Sequence, residues 1–111
     1  MNITDVIIRK FKIEDYDNLI ELWNETDLPY KPKGRDRKEK IANELNSSNA
    51  VFLVAELKNE IIGSIFGTHD GRKGWINRLA VSPKYRKKGL AQKLIEEIEK
   101  HLNNNGIEII A

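Results

Sequence analysis

A mixed α/β domain, with a mostly antiparallel central sheet of about five strands flanked by three helices, is what these 111 residues predict. Three observations carry that expectation. The hydrophobic period switches between two and about 3.6 residues in the order strand, helix, helix, three strands, helix, strand. The three consecutive strands are joined by turn-forming runs, Lys58-Asn59 and Asp70-Gly71-Arg72-Lys73-Gly74, short enough to fold them into an antiparallel meander. The length suits one hydrophobic core rather than two, and no internal repeat or low-complexity linker divides it, so residues 1–111 read as a single domain.

The elements follow in order. Val6-Ile7-Ile8 is a short β-branched strand, and Asp15 or a neighbour caps the helix after it. That helix carries Tyr16, Leu19, Ile20, Leu22 and Trp23 at helical spacing and stops near Asn24. Asp27 to Arg37, with Pro29, Pro32 and Gly34, reads as a loop. Arg37 to Leu45 is a second helix with Ile41, Ala42 and Leu45 on one side. Ala50 to Glu56 and Glu60 to Gly67 are paired strands, and Trp75 to Val81 is the third. In that third strand Ile76 and Ala80 fall on one face and Leu79 and Val81 on the other, with both faces expected to be covered. The last helix is the clearest: Leu90, Ala91, Leu94, Ile95, Ile98 and Leu102 form an apolar stripe, and Gly106 suits its C-terminal cap. Ile107 to Ile110 begins a final strand.

Composition narrows the chemistry. Forty per cent hydrophobic and 32% charged residues of mixed sign describe an ordinary globular surface, and a net charge of +2 is too small to argue for nucleic acid, so any anion site must be local. The chain has no cysteine, which removes disulfides, thiolate metal sites and cysteine nucleophiles, and His69 and His101 are too few for a histidine-rich zinc site. No metal is expected. No apolar run approaches the roughly 20 residues of a membrane span, and no signal peptide is recognised, so a cytoplasmic location is the default.

The chemistry concentrates after the third meander strand. Ser82-Pro83 ends the strand, Lys84-Tyr85-Arg86-Lys87-Lys88-Gly89 is a basic loop, and the loop opens directly into the last helix. Free N–H groups at a helix N-terminus, a partial positive charge of about half a unit, and a glycine that lets backbone approach a ligand together suit a phosphate. Neither the nucleotide P-loop pattern nor a dinucleotide glycine fingerprint is present. Arg86, Gly89 and Ala91 instead match Arg/Gln-x-x-Gly-x-Gly/Ala, and the run resembles the pyrophosphate-binding signature of the GNAT superfamily of acyl-CoA-dependent N-acyltransferases. The entry Leu79-Ala80-Val81-Ser82-Pro83-Lys84-Tyr85 and the order of elements are similar to that family through its fifth strand. The stretch Asp70 to Val81 further resembles a bacterial and archaeal branch of small GNAT enzymes.

The resemblance implies a GNAT-like fold and an acetyl-CoA cosubstrate. Backbone N–H groups of Arg86, Lys87, Lys88, Gly89, Leu90 and Ala91 would hold the pyrophosphate, with the two lysines screening its charge. Leu79, Ala80 and Val81 would pair with the pantetheine arm like an added strand, and one of their N–H groups would polarise the thioester carbonyl. The reaction implied is direct attack by a primary amine of a small molecule, a protein N-terminus or a lysine. That amine must first be neutral, which at pH 7 costs about 4.6 kcal/mol for a lysine-like amine and about 1.4 kcal/mol for an α-amine with pKa near 8. Some family members place a glutamate on the fourth strand; Trp75, Asn77 and Arg78 stand there in this chain. Glu25, Asp27, His69 and Asp70 are the other candidates for a base, each with a simpler reading as a helix-end, loop, strand-end or turn residue, and none is assigned. Trp23, Asp27 and Tyr30 would line the acceptor side, Trp23 being equally suited to the core.

Family domains continue past the fifth strand with a further helix and two strands that often supply a tyrosine to protonate the leaving thiolate. By that measure the sequence reads as incomplete at its C-terminus, with no tyrosine beyond Tyr85, and the apolar strand Ile107 to Ile110 would pair two chains into a homodimer. Two alternatives stand beside the enzyme: a catalytically weak or inactive acyl-CoA-binding remnant, and an interaction module using the basic run Lys31 to Lys40, which lacks the aromatic interleaving of an RNA binder beyond Tyr30.

Overall fold

The computed structural model describes residues 5–26, 37–47, 49–86, 89–104, 106–107 and 109–110. In chain order these form β1 (Ile7–Lys10), α1 (Tyr16–Glu25), α2 (Lys38–Leu45), β2 (Ala50–Leu57), β3 (Glu60–His69), β4 (Lys73–Val81), α3 (Leu90–Asn104) and β5 (Ile109–Ile110). The strands lie side by side in sequence order, β1 to β4 antiparallel and β5 parallel to β4. The predicted mixed sheet and three helices are therefore present.

Lys58 and Asn59 both take positive φ, 50° and 68°, the conformation whose twist matches a two-residue hairpin between β2 and β3. The hairpin strands run further than the sequence suggested. Gly67 reads as a strand end, yet β3 continues to His69 because Gly67 lies beneath α3, where an added Cβ would stand 3.0 Å from Ile98 Cγ1. Arg9 and Lys10 belong to β1, which was expected to stop at Ile8. The Arg9 guanidinium is held between Asp15 at 2.7 Å and Glu56 at 2.8 Å, so its charge is compensated where the strand meets β2. Asp15 does not cap α1 with its side chain. It accepts both Arg9 nitrogens and the Lys12 N–H instead, tying the start of α1 to the sheet edge.

The sheet is covered on two faces. Towards α3, β2 and β3 present Val51, Leu53, Ala55, Ile62 and Ile65 to the stripe Leu90, Leu94, Ile98 and Leu102. Towards α1 and α2, Phe52, Val54 and Phe66 meet Leu19, Leu22, Trp23 and Ile41. β2, covered on both sides, is accordingly apolar almost without alternation.

β4 departs from the expected pattern in two respects. Its faces are not both covered, since Trp75 and Leu79 remain 39% and 36% exposed and Asn77 is exposed as well. Its side chains also change parity. Ile76 and Val81, five positions apart, both pack on the α3 side, while Ala80 joins the α1/α2 side, so Ile76 and Ala80 do not share a face. Strict alternation forbids that arrangement, and the cause is a bulge: Ser64 pairs with Ala80 but Phe66 with Asn77, leaving one extra residue on β4 opposite Ile65.

Candidate active site

The bulge organises the site. Arg78 has φ 54°, a left-handed conformation that costs a non-glycine residue roughly 1–2 kcal/mol and needs support from its surroundings. Ser64 on β3, fully buried, supplies part of it: its hydroxyl donates to the Arg78 carbonyl at 2.8 Å and accepts the Trp23 indole N–H at 3.0 Å. The Arg78 guanidinium lies 5.8 Å from the Trp23 ring centroid. Nothing in the sequence marked Ser64. A single serine within a buried apolar strand is conspicuous only once its neighbours are known.

Beyond the bulge, β4 presents polar main chain away from β3. The Ser82 N–H donates to Ile62 of β3 at 2.8 Å, and residues two apart in an antiparallel ladder face the same way, so Ala80 also bonds β3. The Leu79 carbonyl and the N–H and carbonyl of Val81 therefore point to the opposite edge. Arg86 uses that edge already, its Nε donating to the Val81 carbonyl at 3.2 Å. Among the described residues, β5 pairs with Lys73 and Gly74 at the start of β4. Of the three strand residues expected to bind pantetheine, Leu79 and Val81 are thus presented by their main chain, and Ala80 is committed to β3.

After β4, a 3₁₀ turn over Pro83–Tyr85 carries the chain towards α3. Lys87 and Lys88 lie outside the described residues. Gly89 has φ 80°, with no heavy atom within 4 Å of where a Cβ would stand. Its carbonyl accepts the Lys93 N–H at 3.1 Å, the first α-helical bond of α3, so the N–H groups of Leu90, Ala91 and Gln92 have no acceptor within the helix. The first turn contains no acidic side chain, leaving the positive end of the helix dipole unneutralised from within. Donors, dipole and open space over glycine match a phosphate group.

The acceptor-side expectations divide. Trp23 is wholly buried, so it supports the bulge from the core rather than forming an open wall. Asp27 and Tyr30 lie outside the described residues. On the α1/α2 face, however, a cleft of about 240 Å³ opens between α2 and β4, its lining including Ile41, Glu44, Phe66, Thr68, Asn77 and Arg78. Glu44 was not singled out from the sequence. Its position three residues after the buried Ile41 on an eight-residue helix is the available signal that it faces the sheet.

The other acids and bases have local work. Glu25 Oε1 accepts the Ser82 hydroxyl at 2.5 Å. That contact holds it three residues past Leu79, about 10 Å along a strand. Asp70 accepts the Arg72 and Lys73 N–H groups, both at 2.8 Å, and these hold its carboxyl below the usual range as a turn former. His69 Nδ1 accepts the Gly71 N–H at 3.3 Å, and His69 pairs with Gly74, remote from the bulge.

The acetyltransferase (GNAT) family model matches residues 16–111. Acetyltransferase SG1711 of Sodalis glossinidius (strain morsitans) is 40% identical over 101 residues, spanning 89% of this chain and 68% of that protein. The PaiA N-acetyltransferase of Thermoplasma acidophilum, crystallised in complex with coenzyme A, superposes with a TM-score of 0.77 at 28% identity, covering 91% of this chain and 74% of that one. A predicted acetyltransferase of Clostridium acetobutylicum, solved with acetyl-CoA, shares the fold at a TM-score of 0.80 and 20% identity over 96% of this chain and 79% of its own.

Proposed function

The chain belongs to the GNAT acetyltransferase family, and on that premise we propose that it transfers the acetyl group of acetyl-CoA to a small primary amine seated in the cleft between α2 and β4. The observation carrying this reading is the junction of two features: a β4 edge to which Leu79 and the Val81 N–H turn, and a helix N-terminus whose first N–H groups have no acceptor within the helix. The spacing suits an extended thioester with an anionic tail. Pantetheine would bond the edge as an added strand, and the pyrophosphate would take the N–H groups of Gly89, Leu90 and Ala91 with Arg86, Lys87 and Lys88 around it.

The acceptor would approach from the opposite side. The bulge connects the two sides, because Asn77 and Arg78 line the cleft and Leu79 begins the open edge. The amine nitrogen forms a bond to the thioester carbon, the carbon–sulfur bond breaks, and the sulfur leaves as thiolate. With an ordinary thiol pKa near 8.5, that thiolate needs little help to depart near neutral pH. The larger demand is a neutral amine. Glu44 brings a carboxylate to the cleft, placed to hold the ammonium and receive a proton through solvent.

Acetyl-CoA at about 100 times its dissociation constant should stabilise the protein by about 2.7 kcal/mol, read as a rise in Tm, and thiol release should follow on adding a suitable amine from a panel. Gly89→Val is the control. Its Cβ meets open space, but its left-handed φ disfavours any β-branched side chain, so the Tm shift should vanish while the fold persists. Absence of a shift with the unsubstituted protein overturns the reading. A shift without thiol release leaves an acyl-CoA-binding module. A second copy paired along the β5 edge is the partner proposed; a single species of monomer mass across micromolar concentrations in sedimentation overturns it.

A further inference from the structure

The acceptor carbonyl of one peptide decides where the next N–H points. Arg78 and Leu79 share a planar trans peptide, so the Arg78 carbonyl and the Leu79 N–H are directed oppositely. The carbonyl is drawn inward to Ser64 at 2.8 Å, and the Leu79 N–H is thereby turned away from β3. Left to regular strand geometry, Arg78 would have negative φ and this plane would rotate. The left-handed φ of 54° is what presents the N–H at the edge.

The polarity of the Ser64 hydroxyl is itself determined. An indole nitrogen can only donate, so the Trp23 N–H at 3.0 Å obliges Ser64 Oγ to accept, and the one hydroxyl proton is left for the Arg78 carbonyl. Ser64 and Trp23 are fully inaccessible, so the bond between them is shielded from water, and the bond from Ser64 to the Arg78 carbonyl is part-buried. We propose that Ser64, held by Trp23, is a positioning residue that locks the Arg78–Leu79 peptide with its N–H aimed at the thioester carbonyl. The role rests on the reading that acetyl-CoA lies along this edge. Ser64 touches neither substrate; it acts through the peptide it holds.

A serine that only filled space would be replaced by alanine with little consequence for turnover. A positioning serine would not. Ser64→Ala should lower kcat by about tenfold to a hundredfold, short of the full loss of an oxyanion donor, while the dissociation constant for acetyl-CoA changes less than about threefold, because most contacts with the cosubstrate are untouched. Ser64→Thr, which keeps the hydroxyl, should recover most of kcat, and Trp23→Phe, which removes the N–H but leaves a large ring, should fall between. The three-bond coupling between amide and α protons of Arg78, measured without ligand, should move in Ser64→Ala towards the value of an extended residue. Unchanged kcat in Ser64→Ala beside an active parent protein overturns the positioning role, and so does an unchanged Arg78 coupling. A parent protein that neither binds acetyl-CoA nor releases thiol overturns the functional reading instead, and the coupling still decides whether Ser64 holds the peptide.

Discussion

On the α3 face of the sheet, glycines at 63, 67 and 74 lie beneath aliphatic side chains so closely that an added Cβ would come within 3.0–3.1 Å of Leu94, Ile98 or Ile107. On the α1/α2 face the sheet carries aromatic rings, a buried serine, an arginine and an open cleft. The first face is close-packed and apolar, so it supports α3 as a rigid mount whose N-terminus carries the proposed phosphate site. The second is polar in part and, among the described residues, incompletely covered, which gives a ligand room and directional groups. One sheet serves both needs because its two surfaces belong to alternate residues of the same strands.

The largest expected effect is on the packed face. Leu94→Ala leaves a cavity between α3 and the sheet at a fully buried position and should lower stability by about 2–5 kcal/mol, measured by urea unfolding. If the loss is well below that, α3 is not the rigid mount described. On the other face, Phe66 stacks on Phe52 with centroids 3.9 Å apart and also meets Trp23 and Phe11. Phe66→Leu should cost about 1–2 kcal/mol and, because Phe66 lines the cleft, raise KM for the amine with little change in the dissociation constant of acetyl-CoA. An effect on both ligands equally would erase the division of labour between the faces.

The smallest effect separates the faces by pH. Asp15 ties the α1 layer to the sheet edge, and its carboxyl lies below the usual range chiefly because it accepts hydrogen bonds from Arg9. A carboxyl depressed in the folded state stabilises it above the unfolded pKa of about 3.9 and loses that contribution as pH falls through the lower, folded value. Amide exchange in α1 should therefore accelerate below about pH 4 before exchange in α3 does, and Asp15→Asn should flatten this difference. Simultaneous loss of protection in both helices would mean that the ion pair is not what holds α1.

Much of this was readable in advance. The stripe Leu90, Leu94, Ile98 and Leu102 recurs every four residues, and its burial follows from helical geometry. The glycine at 89 marked the start of α3, where it takes a left-handed φ of 80°, because a helix start is a local feature with a local signature. The bulge was not readable. Its evidence is a mismatch in register between Ser64–Ala80 and Phe66–Asn77, and register is a relation between strands. For the same reason the sequence paired Ile76 with Ala80, and it passed over Ser64, whose meaning depends on Trp23, 41 positions away, and Arg78, 14 away. Glu44 escaped notice because exposure on a helix gives no sign of the cleft beside it.

The sequence by itself determined the order and type of the elements, the apolar faces that bury them and the glycine that opens α3, since all three follow from periodicity and from conformational limits within a few residues. Tertiary structure alone decided which β4 amides face the open edge, that Ala80 is not among them, and where the cleft beside α2 lies. Those depend on hydrogen bonds and packing between segments far apart in the chain, where one extra residue in one strand reverses the direction of everything after it.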